Sequence, residues 1–236
     1  MPSDRKTDVA ATPTGSVSST GRRERNKEAK QARIFAAAAE LFAEHGYALV
    51  TTQQIAERAD VANGTLFRYA STKAELLLMV CNDDFHRNLD RGRRDVSAAE
   101  VANPSRRILT LLTPLLEAGR RSDANTAAYQ REVLFGEPSE RYRAEALALV
   151  AELQNAIADI LAAARPSTSD ADPTPAARAV SNVLHLELAR AALSNTPLAS
   201  LLVDLAAQIE LITRGFLLSA PQLPHENSAP RSKDTP

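Results

Sequence analysis

The sequence has little of what marks secreted, membrane-spanning or β-rich proteins. Its 236 residues include one cysteine, Cys81, which excludes an internal disulfide and fits a reducing compartment. Glycines number 8 and aromatic residues make up 4%, whereas alanine and leucine predominate, so helix is favoured over sheet. The longest apolar runs are too short to span a bilayer, and the polar N-terminus lacks the hydrophobic segment of a secretory signal. We therefore expect a cytoplasmic protein with no membrane partner.

An excess of charge of either sign is missing as well. Hydrophobic residues make up 44% and charged residues 24%, which is typical of a soluble globular protein. The net charge of −1 excludes a protein that is basic over its whole surface. Any nucleic-acid site must therefore be a local basic patch.

Between two polar ends, the sequence is a near-continuous series of helical patterns. The ends, residues 1–21 and 220–236, are predicted to be disordered because they carry too little apolar surface to offset their ordering entropy. In the first helix, residues 28–45, apolar side chains recur at helical spacing, and Gly46 supplies a left-handed residue that ends it. Ser71 is expected to cap the fourth helix. The eight helices after the first are predicted to begin near residues 52, 63, 71, 104, 123, 139, 175 and 197.

The stretch from Thr51 to Leu77 has the pattern of two short helices joined by a tight turn, followed by the start of a fourth helix. Ile55 and Leu66 are among the apolar residues that would pack the two short helices together. The first helix offers an apolar stripe, including Leu41 and Phe42, that would close their core. The pattern predicts a three-helix unit with a helix-turn-helix.

The exposed face of the third helix would carry side chains that suit the major groove of DNA: Asn63, Thr65, Phe67, Arg68 and Tyr69. Arg68 could reach guanine O6 and N7, and Asn63 could pair with adenine. Thr65 could bond a phosphate or touch a thymine methyl group. Phosphate contacts are expected from four polar side chains around the unit: Thr51, Thr52, Tyr69 and Lys73.

The segment around this unit is basic, unlike the chain as a whole. From Arg22 to Lys73 there are nine basic side chains against six acidic ones, a net charge of +3. The upstream tract GRRERNKEAK could reach the minor groove as an arm, or it could be a solvated lead-in. Both interpretations stay open at this point.

These residues resemble the DNA-binding signature of the TetR family of transcriptional repressors. The resemblance is specific over roughly residues 28–80 and weak beyond them. It implies an all-α protein with a DNA-binding domain at 22–70 and a helical ligand-binding and dimerisation domain at 71–219. The residues that carry it are Thr51-Thr52, Ile55-Ala56, Ala59, Val61, Gly64-Thr65-Leu66-Phe67-Arg68-Tyr69 and Lys73.

Four positions depart from the family pattern. Asp60 stands where a turn glycine is usual, and aspartate tolerates positive φ better than most residues. Ala62 replaces the usual serine cap, and Phe67 replaces a tyrosine and so lacks its hydroxyl. Ala70 replaces a core phenylalanine. The motif survives these changes, but they leave the base contacts open.

The last two predicted helices carry apolar residues at alternating three- and four-residue steps. Plain monomer core is one interpretation. The family resemblance implies the other, a four-helix bundle formed by two helices from each of two copies. The predicted dimer interface consists of Val180, Leu184, Leu198, Leu201, Leu205, Ile209 and Ile212.

The resemblance also implies a small-molecule pocket among the middle helices and a ligand that moves the fourth helix. The middle helices are mostly apolar, so an apolar or amphipathic ligand is expected. Core packing is the alternative for each candidate. The pocket candidates are Phe85, Tyr129, Phe135, Asn182 and His185.

Signs of catalysis are few. The sequence has no Gly-rich phosphate loop, no Gly-x-Ser-x-Gly and no Glu-x-x-His pair, and no second His or Cys lies one helical turn from His185. We expect no cofactor, no metal and an inert, buried thiol at Cys81 rather than a redox sensor. The favoured function is a homodimeric repressor that binds a palindromic operator and is released by a ligand. The alternatives are a DNA binder whose C-terminal part only dimerises or binds a protein, and an all-α enzyme.

Overall fold

A computed structural model describes residues 17–137, 140–165, 171–194 and 196–219, and within them all regular structure is α-helical. The predicted all-α class is confirmed. The chain divides into two compact units that meet between Leu76 and Leu77. The helices are α1 (Val17–Leu49), α2 (Thr52–Arg58), α3 (Asn63–Leu66), α4 (Lys73–Ala98), α5 (Pro104–Gly119), α6 (Asp123–Phe135), α7 (Arg141–Ala163), α8 (Thr174–Ser194) and α9 (Leu198–Leu218).

The first unit is built around the apolar stripe of α1. Ile34 and Phe42 are buried, and Ile55 of α2 and Leu66 of α3 are fully buried in the same unit. Thr51 caps α2 in a capping box, because its Oγ1 accepts from the Gln54 amide at 3.2 Å while the Gln54 side chain accepts from the Thr51 amide at 2.8 Å. The sequence pattern therefore located the start of α2 correctly.

The first helix is longer than predicted. α1 begins at Val17, so residues 17–21 of the predicted N-terminal tail are helical, while the rest of both predicted tails lies outside the described residues. Residues 22–27 of the extension include Arg, Lys and Glu, which favour helix even without an apolar stripe. Gly46 has φ 74° and ψ 157°, so it interrupts the helical geometry as expected, although helical turns resume up to Leu49.

The start of α4 also differs from its prediction. The Thr72 side chain, not that of Ser71, accepts the Glu75 amide at 3.0 Å. The Ser71 amide donates instead to the buried Glu75 carboxylate at 3.1 Å. Ser71 therefore lies one residue outside the cap, and Glu75 satisfies the backbone that enters the helix.

The second unit contains the rest of α4 and α5 to α9 around one apolar core. Leu112, Leu153, Leu184 and Leu205 are all fully buried there. Gly92 of α4 allows a close approach to α5, because a side chain at that position would collide with the backbone carbonyl of Leu111.

One helix of this unit is more apolar than expected from the sequence, which predicted apolar runs too short to span a bilayer. By length and composition, α7 alone among the described helices could cross a membrane. However, Leu149, Leu153 and Ile157 on one of its faces are buried, and α7 packs against α8. The helix therefore has the burial of a core element.

The predicted dimer interface was wrong for most of its residues. The two half-buried members, Leu198 and Ile212, pack against the core of the second unit. Apolar periodicity reports which face of a helix is covered, but it does not distinguish the chain's own core from a partner. The members buried within the single chain are Val180, Leu184, Leu201, Leu205 and Ile209.

Candidate functional site

The short helix α3 presents its polar side to solvent. Asn63, Gly64 and Arg68 are exposed, and the Phe67 ring is 43% exposed. Leu66, fully buried, anchors the helix from the other side. Asn63 and Arg68 are thus free to reach base edges, as a recognition helix requires.

The turn before α3 sets the direction of that exposed face. Asp60 adopts a positive φ of 51°, which confirms that aspartate can replace the usual glycine there. Its carboxylate pairs with the Arg33 guanidinium of α1 at 3.1 Å. Ala62 at the N-cap provides no side-chain hydrogen bond, so the first amides of α3 are not capped by that residue.

Two of the side chains predicted to contact phosphate bind the protein's own backbone instead. The Lys73 ammonium donates to the carbonyls of Tyr47 at 2.8 Å and Val50 at 2.9 Å, and it lies 4.3 Å from the centre of the Tyr47 ring. The Tyr69 hydroxyl donates to the Lys27 carbonyl at 3.3 Å. In the free chain, both residues connect α1 to the segment after the helix-turn-helix.

The other residues predicted to contact DNA differ in whether their side chains are accessible and unpaired within the described part of the chain. The Thr51 hydroxyl is engaged in the capping box of α2, donating to the Gln54 side chain at 3.0 Å. Thr52 and Thr65 are half-buried. Arg68 makes no ion pair with any residue in the described part of the chain, whereas Arg58 of α2 pairs with Glu40 of α1 at 3.0 Å. Arg68 is therefore the cation of this face that is available to a ligand.

A second candidate region lies inside the other unit, where polar side chains are buried. The Tyr129 hydroxyl donates to the Asn82 side-chain oxygen at 3.2 Å, and the Asn82 amide donates to the Tyr142 carbonyl at 2.8 Å. The next residue of α6, Gln130, is bonded through its Oε1 to His185 Nδ1 at 2.9 Å. Two adjacent residues of α6 thus place polar groups in an apolar core.

His185 is held as a neutral ring. Burial lowers its pKa to about 4. Because Nδ1 faces the Gln130 oxygen, Nδ1 carries the proton and Nε2 is left as an acceptor. Nε2 is buried and has no hydrogen-bond partner among the described residues. A ligand hydroxyl or a water molecule could donate to it.

The five ligand candidates do not form one cluster. Tyr129 and His185 are joined to the buried polar groups, and Phe85 is half-buried against the core. Phe135 is 82% exposed at the end of α6, and Asn182 lies on the exposed side of α8. These two predictions were wrong for an internal pocket, because both side chains point away from the core.

The sequence reading missed Asn82 and Gln130. Asn82 follows Leu78 by four residues on the buried stripe of α4, and both side chains are buried. Gln130 is 4% exposed on α6. A polar residue at a position where the apolar period calls for a hydrophobic one was the signal that could have identified Asn82.

Cys81 behaves as the inert thiol expected. Burial, with the Asp84 carboxylate as a second cause, raises the pKa of its thiol to about 12. The reactive thiolate is therefore scarce at neutral pH. Among the residues described, no three His, Cys, Asp or Glu side chains are grouped as a metal site would require.

Comparison with known proteins agrees with the geometry of the first unit. The profile of the family described as "Bacterial regulatory proteins, tetR family" matches residues 34–80, which extend from the apolar part of α1 into α4. Over these residues the chain is similar to the TetR family. Both α2 and α3 lie within the matched residues.

Relatives extend the similarity beyond the matched profile. The HTH-type transcriptional repressor KstR of Rhodococcus jostii is 34% identical over 137 residues, covering 57% of this chain and 60% of that relative. The chain thus matches less than two thirds of the length of this relative.

Two solved structures share the fold of this chain. The Thermus thermophilus FadR repressor in complex with lauroyl-CoA has a TM-score of 0.60 at 24% identity, covering 82% of this chain and 97% of the other. Bacillus subtilis FadR in complex with stearoyl-CoA has a TM-score of 0.56 at 17% identity, covering 79% and 97%. At these identities the likeness concerns the fold alone.

The contacts of Lys73 predict a structural role that stability measurements can isolate. In Lys73→Met the Tyr47 and Val50 carbonyls lose their donor, so we expect the free energy of unfolding to fall by about 1–3 kcal/mol in urea titrations. Arg68→Ala removes the same charge from an exposed side chain and should change stability by less than about 0.5 kcal/mol. Equal losses in the two variants would contradict this assignment.

The neutral state of His185 predicts a pH dependence. The unfolded chain binds this proton near pH 6.5 and the folded chain only near pH 4, so stability is present above pH 6.5 and is lost as pH falls through this window. We expect the free energy of unfolding to fall by about 1–3 kcal/mol over this pH range in the unaltered protein. His185→Gln should not show this fall. The measurement is urea unfolding of both proteins between these pH values. A stability difference that does not change with pH would refute the buried neutral ring.

Proposed function

We propose that this TetR-family protein is a cytoplasmic transcriptional repressor that binds a palindromic operator as a homodimer and is released by a small molecule. In this proposal residues 22–70 form the DNA-binding domain and residues 71–219 the regulatory and dimerisation domain. The observation that carries it is the exposed surface of α3 and of the turn after it, where Asn63, Phe67 and Arg68 flank the buried Leu66. The relatives named above are regulators, which supports a regulator over an enzyme.

The recognition step follows from the chemistry of that face. Arg68 would pair with guanine in the major groove and Asn63 with adenine, while the half-buried Thr65 would face the backbone or a thymine methyl group. A four-residue helix offers few base contacts, so one copy alone would bind weakly. Two copies on a two-fold axis would read half-sites about 34–36 Å apart or a multiple of that distance.

The outer faces of α8 and α9 support the homodimer. Leu186 and Leu193 of α8 are 59% and 83% exposed. Val203 and Leu211 of α9 are 69% and 75% exposed and lie two helical turns apart on one side, with the exposed Ala207 between them. Exposed apolar stripes of this kind mark interaction surfaces. These residues replace the buried set as the proposed interface.

The effector is proposed to be amphipathic, with acyl-CoA thioesters as the first class to test. Two structures of the same fold hold lauroyl-CoA and stearoyl-CoA. The second unit of this chain is rich in buried leucine, and His185 Nε2 offers a hydrogen-bond acceptor inside it. α4 runs unbroken from Lys73 to Ala98, so a ligand that displaces this helix in the second unit would also act on its first turn. A preference of about 2–3 kcal/mol for the released state would lower operator affinity by one to two decades.

The DNA-binding proposal predicts a specific effect of Arg68→Ala. The full-length protein would first select duplexes from a random-sequence pool, and gel-shift titrations would then compare the variant with the unaltered protein. The loss of one bidentate base contact should cost about 1–3 kcal/mol on the selected duplex and relax the preference at one base pair of each half-site. Failure to enrich any sequence would refute operator recognition.

The same gel-shift titrations test whether an acyl-CoA releases the protein from DNA. Lauroyl-CoA and stearoyl-CoA added to the complex should reduce the shifted band, while coenzyme A alone, which lacks the acyl chain, should not. An operator complex that resists every acyl-CoA would reject this effector class. It would leave the alternative in which the second unit only dimerises or binds a protein.

The dimer surface is tested by Val203→Asp with Leu211→Asp. Two carboxylates on the exposed apolar stripe of α9 should convert the dimer to a monomer in sedimentation velocity while leaving helicity intact. The matched control is Leu134→Asp on α6, whose side chain is 57% exposed and lies outside the proposed interface. A dimer that survives the double substitution would exclude this face.

A further inference from the structure

The N-terminal part of α1 is a helix without a core to pack on. From Arg22 to Lys30 every side chain is exposed, and the first buried residue of α1 among those whose side chains are described is Ile34. A helix that is polar on all sides either bridges to something else or depends on its own side-chain pairs. Within this segment the one ion pair is Glu24–Lys27, at 3.2 Å.

The acidic side chains of this segment lie opposite four of its cations, while Arg25 and Lys27 lie between the two sides. At about 100° per residue, positions i, i+1, i+4, i+8 and i+11 fall within one half of a helix. Glu24 and Glu28, four residues apart, share the opposite side. The cationic side, hereafter the cationic face, consists of Arg22, Arg23, Asn26, Lys30 and Arg33.

One residue of the cationic face lies against the helix-turn-helix. Arg33 itself pairs with Asp60 in the turn before α3. Further upstream, the Lys27 carbonyl accepts from Tyr69, which follows α3. The segment before Lys27 therefore extends beyond the last described contact of α1 with the helix-turn-helix. Arg22 lies roughly 7 Å beyond Lys27 along the helix axis.

The helical state argues against a minor-groove arm formed by this basic tract. An arm of the homeodomain type enters the minor groove as an irregular chain. Residues 22–33 are helical instead, with their cations spaced along one side of a rod. Arg22, Arg23 and Lys30 form no ion pair within the described part of the chain, so their charges are not neutralised by its acidic side chains.

We propose that the cationic face is a second DNA-binding surface, which binds backbone phosphates of the duplex beside the base pairs read by α3. This inference rests on the proposed DNA-binding function and adds the element that supplies sequence-independent affinity. DNA is the favoured occupant because Arg33 of the cationic face pairs with Asp60, three residues before the exposed Asn63. Its Arg and Lys side chains match a row of phosphates, and phosphate contacts position a protein without reading sequence.

The test removes three cations that make no described ion pair: Arg22→Ala, Arg23→Ala and Lys30→Ala together in the full chain. Arg33 is left intact because it pairs with Asp60. Binding to a selected duplex and to an unrelated duplex of equal length is measured by fluorescence anisotropy at roughly 50–200 mM KCl, the range in which phosphate contacts show as a salt slope. We expect the slope of log Kd against log salt to drop by about 2–3, because each lost phosphate contact removes about 0.9. Affinity for both duplexes should fall by about 10- to 100-fold at the low-salt end, and the ratio between them should be retained.

A matched variant controls for net charge. Arg94→Ala, Arg106→Ala and Arg214→Ala remove three exposed cations of the second unit. An unchanged salt slope in the first triple variant, or an equal loss in the control, would overturn the second surface while leaving operator recognition by α3 intact. Loss of binding to phosphatidylglycerol vesicles with an unchanged DNA slope would assign the cationic face to a membrane and equally overturn it. If the unaltered protein binds no duplex at all, both the function and this surface are refuted.

Discussion

The burial of Leu66 is the contact on which the exposed surface around α3 depends. A four-residue helix has no stability of its own, because nucleation costs more than so few hydrogen bonds return. α3 exists because Leu66 is fully buried on one side and the Asp60 turn fixes its entry. The neighbouring positions are then left exposed for other chemistry. The small core of the first unit thus determines which side chains of α3 and its flanking turns are exposed.

Polar contacts also hold the surroundings of this helix in place. Lys73, Tyr69 and Arg33 each reach across the unit to a carbonyl or a carboxylate. Such contacts are directional, so they hold one arrangement of α1, α3 and the start of α4 more strictly than packing alone would. In the second unit, Asn82, Tyr129 and Gln130 place directional bonds inside an apolar core in the same way.

Local signals were readable from the sequence, and contacts distant in the chain were not. The Thr51 cap and the positive φ of Gly46 and Asp60 follow from residues within a few positions, and the structure has them. The Lys73 contacts join residues more than twenty positions apart, which no periodicity reveals. The α9 stripes show the same limit: Leu205 and Leu211 look alike in sequence, but one is buried and the other exposed. Whether an apolar face meets its own chain or solvent is decided by tertiary packing.

The contact at Gly92 sets how closely α4 and α5 pack in the second unit. Because the backbone of α5 lies directly against it, α4 has little room to move towards α5 at this position. A larger residue there would push the two helices apart and open the core between them. The absence of one methyl group therefore fixes the spacing of these two helices.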